Sequence, residues 1–378
     1  MTKELKLEEC VNLLSGTAST GAAISSTSSS GAHHHHHHHL HHNKPLSLLP
    51  PSPYVSGSSG TSPGRDQNST YAGQNLITST PRAMIRRNSK NHLTGGYQCT
   101  VRLLDDAEIL QCEFQPHHKG QFIMDFVCRQ LNIAEKDYFG LRYVDTNKQR
   151  HWLDLSKSIV KQLRDMAYIV CFRFKFYPND PMLLKEEVSR YQLVLQLRRD
   201  ILHGRLYSTL SDMATLASFI IQSELGDHDP EVHTGNYISD YELVSRQSHE
   251  LEEKAMELHQ KLKGLTPSEA DILFLKKAAT LDTYGIDPHP VKDQQGEQVY
   301  LGINHTGIST FQGSRKSTHF KWSQITKLNY EAKMFIIHLS IPEDARTKKK
   351  ETVGFKCQTS SSCKYLWRSA VEQRLFFT

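Results

Sequence analysis

The feature that most restricts this chain is a change of hydrophobic period that begins near residue 97. From Gln98 apolar residues alternate with polar ones, the period of a half-buried strand. Beyond Pro181 they recur every three to four residues, as in a helix; past about residue 290 alternation returns, and the chain closes on one more helical stretch. That order predicts a strand-rich unit, an all-helical unit and a second strand-rich unit, each with its own face to bury. Residues 15–96 carry neither period. Ser, Thr, Gly, His, Pro and Asn dominate them, leaving too little apolar surface to offset ordering entropy, so 1–96 is expected to be a disordered low-complexity tail.

In the first unit (97–178), QCTVRLLDDAEILQCEF alternates on either side of Asp105-Asp106 and predicts a β-hairpin. A helix is expected in KGQFIMDFVCRQLNI, with Phe122, Ile123, Phe126, Val127 and Leu131 at helical spacing. DYFGLRYVD and RHWLDL read as strands around a charged turn, SKSIVKQLRD as a short helix, and YIVCFRFKFY as a last strand stopped by Pro178. This is the order of a ubiquitin-like roll, whose core Phe139 and Trp152 are of the size to fill.

The second unit (179–284) reads as four helices. The first is expected to bury Val188, Tyr191, Leu195, Ile201 and Leu202 and to stop at Gly204, with His203 capping carbonyls. The second starts from Ser211 or Asp212 and ends at Gly226; the third is HELEEKAMELHQKL; the fourth opens on a Thr266-Pro267-Ser268-Glu269 capping box. In the third unit (285–378), VYLGIN, GISTFQG, THFKW, ITKLNYE, KMFIIHLSI and ETVGFKCQ read as short strands. A closing helix carries Cys363, Leu366, Trp367, Ala370 and Val371 in one stripe, so it should cap a β-sandwich of the pleckstrin-homology or phosphotyrosine-binding type. The fold class is thus α+β, in several lobes.

No Walker loop, HExxH or kinase set appears, so neither an enzyme nor a cofactor is expected. The seven cysteines form no CxxC pair and read as reduced core thiols of an intracellular protein. No apolar run reaches about 18 residues and the acidic first residues do not make a signal peptide, so a chain neither secreted nor membrane-spanning is expected. Residues 3–14 fit one short amphipathic helix. A net charge of +5 permits an anionic surface without demanding nucleic acid. The His tract at 33–42 lacks acidic or thiolate partners and reads as low complexity, not as a metal site. Arg86-Arg87-Asn88-Ser89 offers Ser89 to a basophilic kinase, and RTKKK at 346–350 reads as a solvated loop able to graze a membrane.

Several strings resemble the FERM domain of the band 4.1 superfamily. YFGL (138–141), Trp152-Leu153 and FRFKFYP (172–178) resemble its first lobe. Tyr191-Gln192, LHGRL (202–206), and Ala214, Leu216, Ala217 and Ser218 resemble the second; LDTYGIDPH (281–289) resembles the entry to the third. FKFYP, RHWL and LDTYG…DPHP point to the small FERM-domain-containing proteins related to band 4.1. The resemblance implies a ubiquitin-like roll, a helical bundle like acyl-coenzyme A binding proteins, and a PH/PTB-like sandwich. It further implies a non-catalytic adaptor, peripheral at the inner face of the plasma membrane and at cell junctions. Such an adaptor binds cytoplasmic tails of transmembrane adhesion or polarity proteins and reaches the cortical cytoskeleton indirectly.

Two surfaces follow from that resemblance. A peptide groove is implied along ITKLNYE, where Ile325, Leu328 and Tyr330 face Lys364, Leu366 and Ala370 and a tail adds as a strand. A phosphoinositide cleft is implied at Lys157, Lys161 and Lys364, although Asp154 stands where ezrin-like relatives carry a lysine. Two other readings stay open: a cytosolic scaffold that binds proteins without lipid, and the FERM part of a larger protein.

Overall fold

The computed structural model describes residues 96–105, 108–342 and 348–378. Ser89, the His tract and the 3–14 segment lie outside the described residues.

In the first lobe β1 (Tyr97–Arg102) and β2 (Ile109–Phe114) pair antiparallel, with Cys99 opposite Cys112. After α1 (Gly120–Gln130) come β3 (Phe139–Val144), β4 (Arg150–Trp152), the one-turn α2 (Ile159–Gln162) and β5 (Ile169–Phe174). The sheet order is β2-β1-β5-β3-β4, with β1 and β5 parallel at the centre. Ile123, Met124, Val127 and Cys128 of α1 are buried, whereas Phe122 turns outward and stacks on His118. Phe139 is buried and stacked on Phe172, as expected. Trp152 is not in this core. Leu153 takes the inward position, so alternation sends Trp152 to the outer face, where its ring lies over Gly140 with Lys175 and Arg142 above it.

The second lobe contains α3 (Glu187–Leu202), α4 (Leu210–Leu225), α5 (His249–Gln260) and α6 (Pro267–Ala279). Every residue of α4 from Met213 to Gln222 is buried, which makes it the central helix. Its N-cap is Thr209, not Ser211 or Asp212: the Thr209 hydroxyl accepts the Asp212 N–H, and Asp212 at N3 pairs with Lys277 of α6. Gly226 ends it at φ +74°, and the Thr266–Glu269 capping box opens α6, both as the sequence predicts. Helix α3 departs from expectation. Tyr191 is 51% exposed and Leu202 is also exposed, while Gln192, Gln196 and Asp200 are buried beside Leu193, Leu197 and Ile201. The buried face carries polar residues, of which Gln196 and Asp200 bond to the first lobe, so apolar spacing misplaces it.

One continuous core runs through the first two lobes. A reciprocal clasp also joins them: the Glu186 carboxylate accepts the Ala134 and Glu135 N–H groups, and that of Glu135 accepts those of Lys185 and Glu186.

The third lobe has its own core. It contains β6 (His289–Lys292), β7 (Gln298–Asn304), β8 (Gly307–Gln312), β9 (Arg315–Lys321), β10 (Ile325–Glu331), β11 (Met334–Pro342), β12 (Lys348–Cys357) and α7 (Ser360–Phe377). The sheet order β10-β11-β12-β6-β7-β8-β9 leaves β10 and β9 as open edges. Strand β6 is an addition to the expected set; four residues long and carrying Pro290, it shows no alternation worth the name. The lysines of RTKKK are also not simply a loop. Lys348, Lys349 and Lys350 pair with Pro342, Ile341 and Ser340 at the start of β12.

Helix α7 has two working faces. Cys363, Leu366 and Ala370 close the sandwich, while Tyr365, Arg368, Glu372 and Phe376 reach the first lobe. All six described cysteines are free. Among the described residues, no helix is long and apolar enough to cross a membrane, and no group of three or more His, Cys, Asp or Glu is placed to hold a metal.

Candidate functional site

Both implied surfaces lie against α7, one on each side. On the sandwich side α7 packs along β10, whose other flank is paired only with β11. Ile325, Leu328, Leu366 and Ala370 meet there, but all four are buried in the lobe's core. They form the floor of the seam. Tyr330 is half-buried at its rim, its ring tilted against that of Trp367 at 5.0 Å, and the Trp367 indole N–H donates to the Leu328 carbonyl at 2.9 Å. The sequence places Trp367 in the core stripe; its ring is in fact at the seam's mouth, a placement that depends on how α7 lies over β10. Lys364 does not belong to the seam. It is exposed on the opposite side of α7.

That opposite side forms a cleft of about 230 Å³ with the first lobe, lined by Tyr143, His151, Trp152, Gln162, Lys364 and Arg368. Lys161 is exposed on α2 and does not line it. Lys157 is engaged by Asp154 at 2.9 Å. Asp154 also accepts the Ser156 hydroxyl and N–H, and Arg368 reaches it at 3.2 Å. Burial alone would raise the Asp154 carboxyl, but Ser156, Lys157 and Arg368 together outweigh it and hold the group well below the usual carboxylate range. Gln162 fixes the backbone there, accepting the Asp154 N–H and donating to the Asp154 carbonyl. Sequence reasoning missed Arg368. Its one local signal is Glu372 at i+4, with which it pairs at 3.0 Å.

The three lobes meet behind this cleft. Asp200 of α3 accepts the Tyr177 hydroxyl at 2.6 Å, Arg205 Nε at 2.9 Å and Gln196 at 3.1 Å. Burial pushes the Tyr177 phenol up, with the Asp200 charge adding to it. Nearby, burial favours the neutral form of Asp287, but His289, Arg142, Arg150 and Arg205 overcome this and lower its carboxyl. Phe376 stacks on Phe176 at 4.2 Å, and Lys175 pairs with Glu372 at 3.1 Å, so the far end of α7 is anchored to the first lobe. Among the described residues that line these surfaces, the geometry offers ion pairs and apolar seams.

A ubiquitin-like roll, a helical bundle and a helix-capped sandwich arranged around one terminal helix define a FERM-type module. The FERM N-terminal domain matches residues 101–165, the FERM central domain 179–289 and the FERM C-terminal PH-like domain 293–378. The chain is 41% identical over 293 residues to Protein 4.1 of Canis lupus familiaris, covering 78% of this chain and 35% of that protein. It is 40% identical over 280 residues to Band 4.1-like protein 3 of Homo sapiens, covering 74% and 26%. This chain belongs to the FERM family of the band 4.1 superfamily, and it spans between about a quarter and a third of the length of these relatives. Among solved structures, the FERM and C-terminal domain complex of Drosophila Merlin superposes with a TM-score of 0.64 at 25% identity, covering 74% of this chain and 96% of that one. The human Myosin 7b C-terminal MyTH4-FERM domain, at 17% identity and a TM-score of 0.56, covers 74% and 61% and shares the fold.

Proposed function

We propose that this chain is a non-catalytic membrane–cytoskeleton adaptor whose third lobe takes the cytoplasmic tails of transmembrane adhesion or polarity proteins as an added strand on β10. The observation that carries this reading is the open edge of β10 beside α7: main-chain groups supply affinity there and the α7 rim supplies selectivity. Binding of this kind holds the protein at the inner face of the plasma membrane and at junctions, with the cortical cytoskeleton reached indirectly. The full chain is titrated with synthetic peptides of about twenty residues from the juxtamembrane tails of single-pass adhesion receptors. Backbone N-methylation at alternate peptide residues leaves the protein untouched and removes the donors that a strand needs. It should weaken binding about tenfold or more, the equivalent of one or two main-chain hydrogen bonds. Unchanged affinity rules out strand addition.

A second reading, anionic lipid in the cleft between the first and third lobes, is favoured by Lys364 and Arg368 and opposed by Asp154. A scaffold that binds proteins without lipid is distinguished by an absence of vesicle binding alongside retained peptide binding.

A further inference from the structure

The open edge of β10 is already hydrogen-bonded from within the molecule. In an antiparallel ladder a residue turns its N–H and C=O to the same side. Because the Leu328 carbonyl receives the Trp367 indole, the Leu328 peptide groups face away from β11, on the flank where a new strand would pair. The indole therefore makes, from α7, the bond that an incoming main-chain N–H would make. Its ring also lies against that of Tyr330, two residues along the strand, whose side chain shares a face with Leu328 and whose peptide groups likewise turn away from β11. Arg374, two helical turns further on, points a guanidinium nitrogen at the Thr326 carbonyl at 3.5 Å. Successive outward carbonyls of the edge thus face donors of one helix, running antiparallel to the strand.

We propose, resting on the reading of β10 as the docking edge, that Trp367 is a latch on the groove: a tail gains the Leu328 carbonyl only by displacing the indole. Hydrogen bonds balance in this exchange, with the Leu328 carbonyl trading an indole donor for a peptide donor while the released indole N–H goes to water. Docking at that position therefore gains little by itself. A tail that binds well has to recover the difference from side chains against the vacated Tyr330–Trp367 pocket, which makes Trp367 a specificity-determining residue. A latched edge also explains how an exposed strand avoids pairing with other chains.

The chain has three tryptophans, Trp152, Trp322 and Trp367, so its indole N–H resonances are resolvable, and that of Trp367 is assignable from its proximity to β10. The test titrates the same N-methylation-sensitive tail peptides into the wild type and into Trp367→Phe, which keeps a ring and removes the donor. The latch predicts that the Trp367 indole signal shifts towards that of a solvated indole as peptide binds. It also predicts that Trp367→Phe binds about three- to tenfold more tightly, the equivalent of one neutral hydrogen bond no longer in competition. Equal or weaker binding by a folded Trp367→Phe overturns the latch and leaves strand addition standing. An unmoved indole signal does the same, and it decides the matter should the variant not fold. Peptides indifferent to N-methylation, or none that bind either protein, overturn the groove and the latch together.

Discussion

Asp154 in the first lobe and Arg368 in the closing helix form an ion pair at 3.2 Å across the boundary between the first and third lobes. The same carboxylate holds Lys157 at 2.9 Å, and Arg368 is held from its other side by Glu372. Two of the cations nearest the cleft are therefore occupied by acids of the chain itself. Lys364, beside them, is exposed. The pairing also ties α7 to the first lobe at mid-helix, about two turns before the Phe176–Phe376 stack.

Asp154→Asn keeps the side chain's size, removes its charge and releases Lys157 and Arg368 towards the cleft. The variant chain should then sediment several-fold more with phosphatidylcholine vesicles containing an anionic lipid than the wild type does. The gain should disappear at high salt, because exposed charges are screened there. An unchanged vesicle-bound fraction would remove the cleft from the binding surfaces.

Thr209 and Ser211 are competing candidates for the start of α4, and the geometry decides between them. Thr209→Ala deletes the acceptor of the Asp212 N–H and should cost about 1 kcal/mol in denaturant titration. Ser211 is exposed and inside the first turn, so Ser211→Ala should be within about 0.5 kcal/mol of the wild type. Equal costs would contradict the cap assignment.

Features that depend on neighbours in sequence were legible. The changes of period separated strand-rich from helical stretches, and the Thr266–Glu269 box was readable because it spans only i to i+3. The buried face of α3 was not. Gln196 and Asp200 are tolerable inside only because the Phe174 N–H, Tyr177 and Arg205 meet them, and spacing along the helix does not encode those partners. The same holds at the candidate sites. The strings marked β10 and α7, but Lys364 falling on the cleft side, Trp367 closing the seam and Arg368 reaching Asp154 all follow from how α7 is rotated between two lobes.

His259 provides a pH test. It is fully buried, accepts the Tyr237 hydroxyl on Nδ1 and lies near the Gly226 carbonyl through Nε2, an arrangement suited to neutral imidazole. Burial lowers its pKa below the ordinary 6.5, and the neighbouring His228 and His233 lower it further, against the opposing pull of the Gly226 carbonyl and Asp227. A histidine with a depressed folded pKa contributes its full stability above the unfolded value and loses it as pH falls below about 6.5. The melting temperature should therefore drop between pH 7 and pH 5, and His259→Gln, which can still accept and donate, should flatten that drop. Parallel pH profiles for the two proteins would exclude His259 as the source.

Gly285 tests whether the junction of the lobes is a single tightly packed unit. Its φ is +68°, a region costly for residues with a side chain, and a Cβ there would lie 2.9 Å from Cβ of Tyr177. Tyr177 cannot retreat freely, since its hydroxyl is bound to Asp200 and its ring meets Tyr284 edge-on at 5.6 Å. Tyr284 is anchored in turn by its hydroxyl on the Pro178 carbonyl. Gly285→Ala thus combines backbone strain with a clash and should cost about 1–3 kcal/mol. Because Asp200 also holds Arg205 and Gln196, the loss should appear as faster amide exchange on both sides of the junction, in α3 and in β6–β7. Tyr177→Phe supplies the comparison: it removes the hydroxyl but not the ring, so it should loosen the Asp200 network without moving the backbone at 285. A Gly285→Ala protein with wild-type stability would mean that the first and third lobes shift past each other at Tyr177 with little resistance.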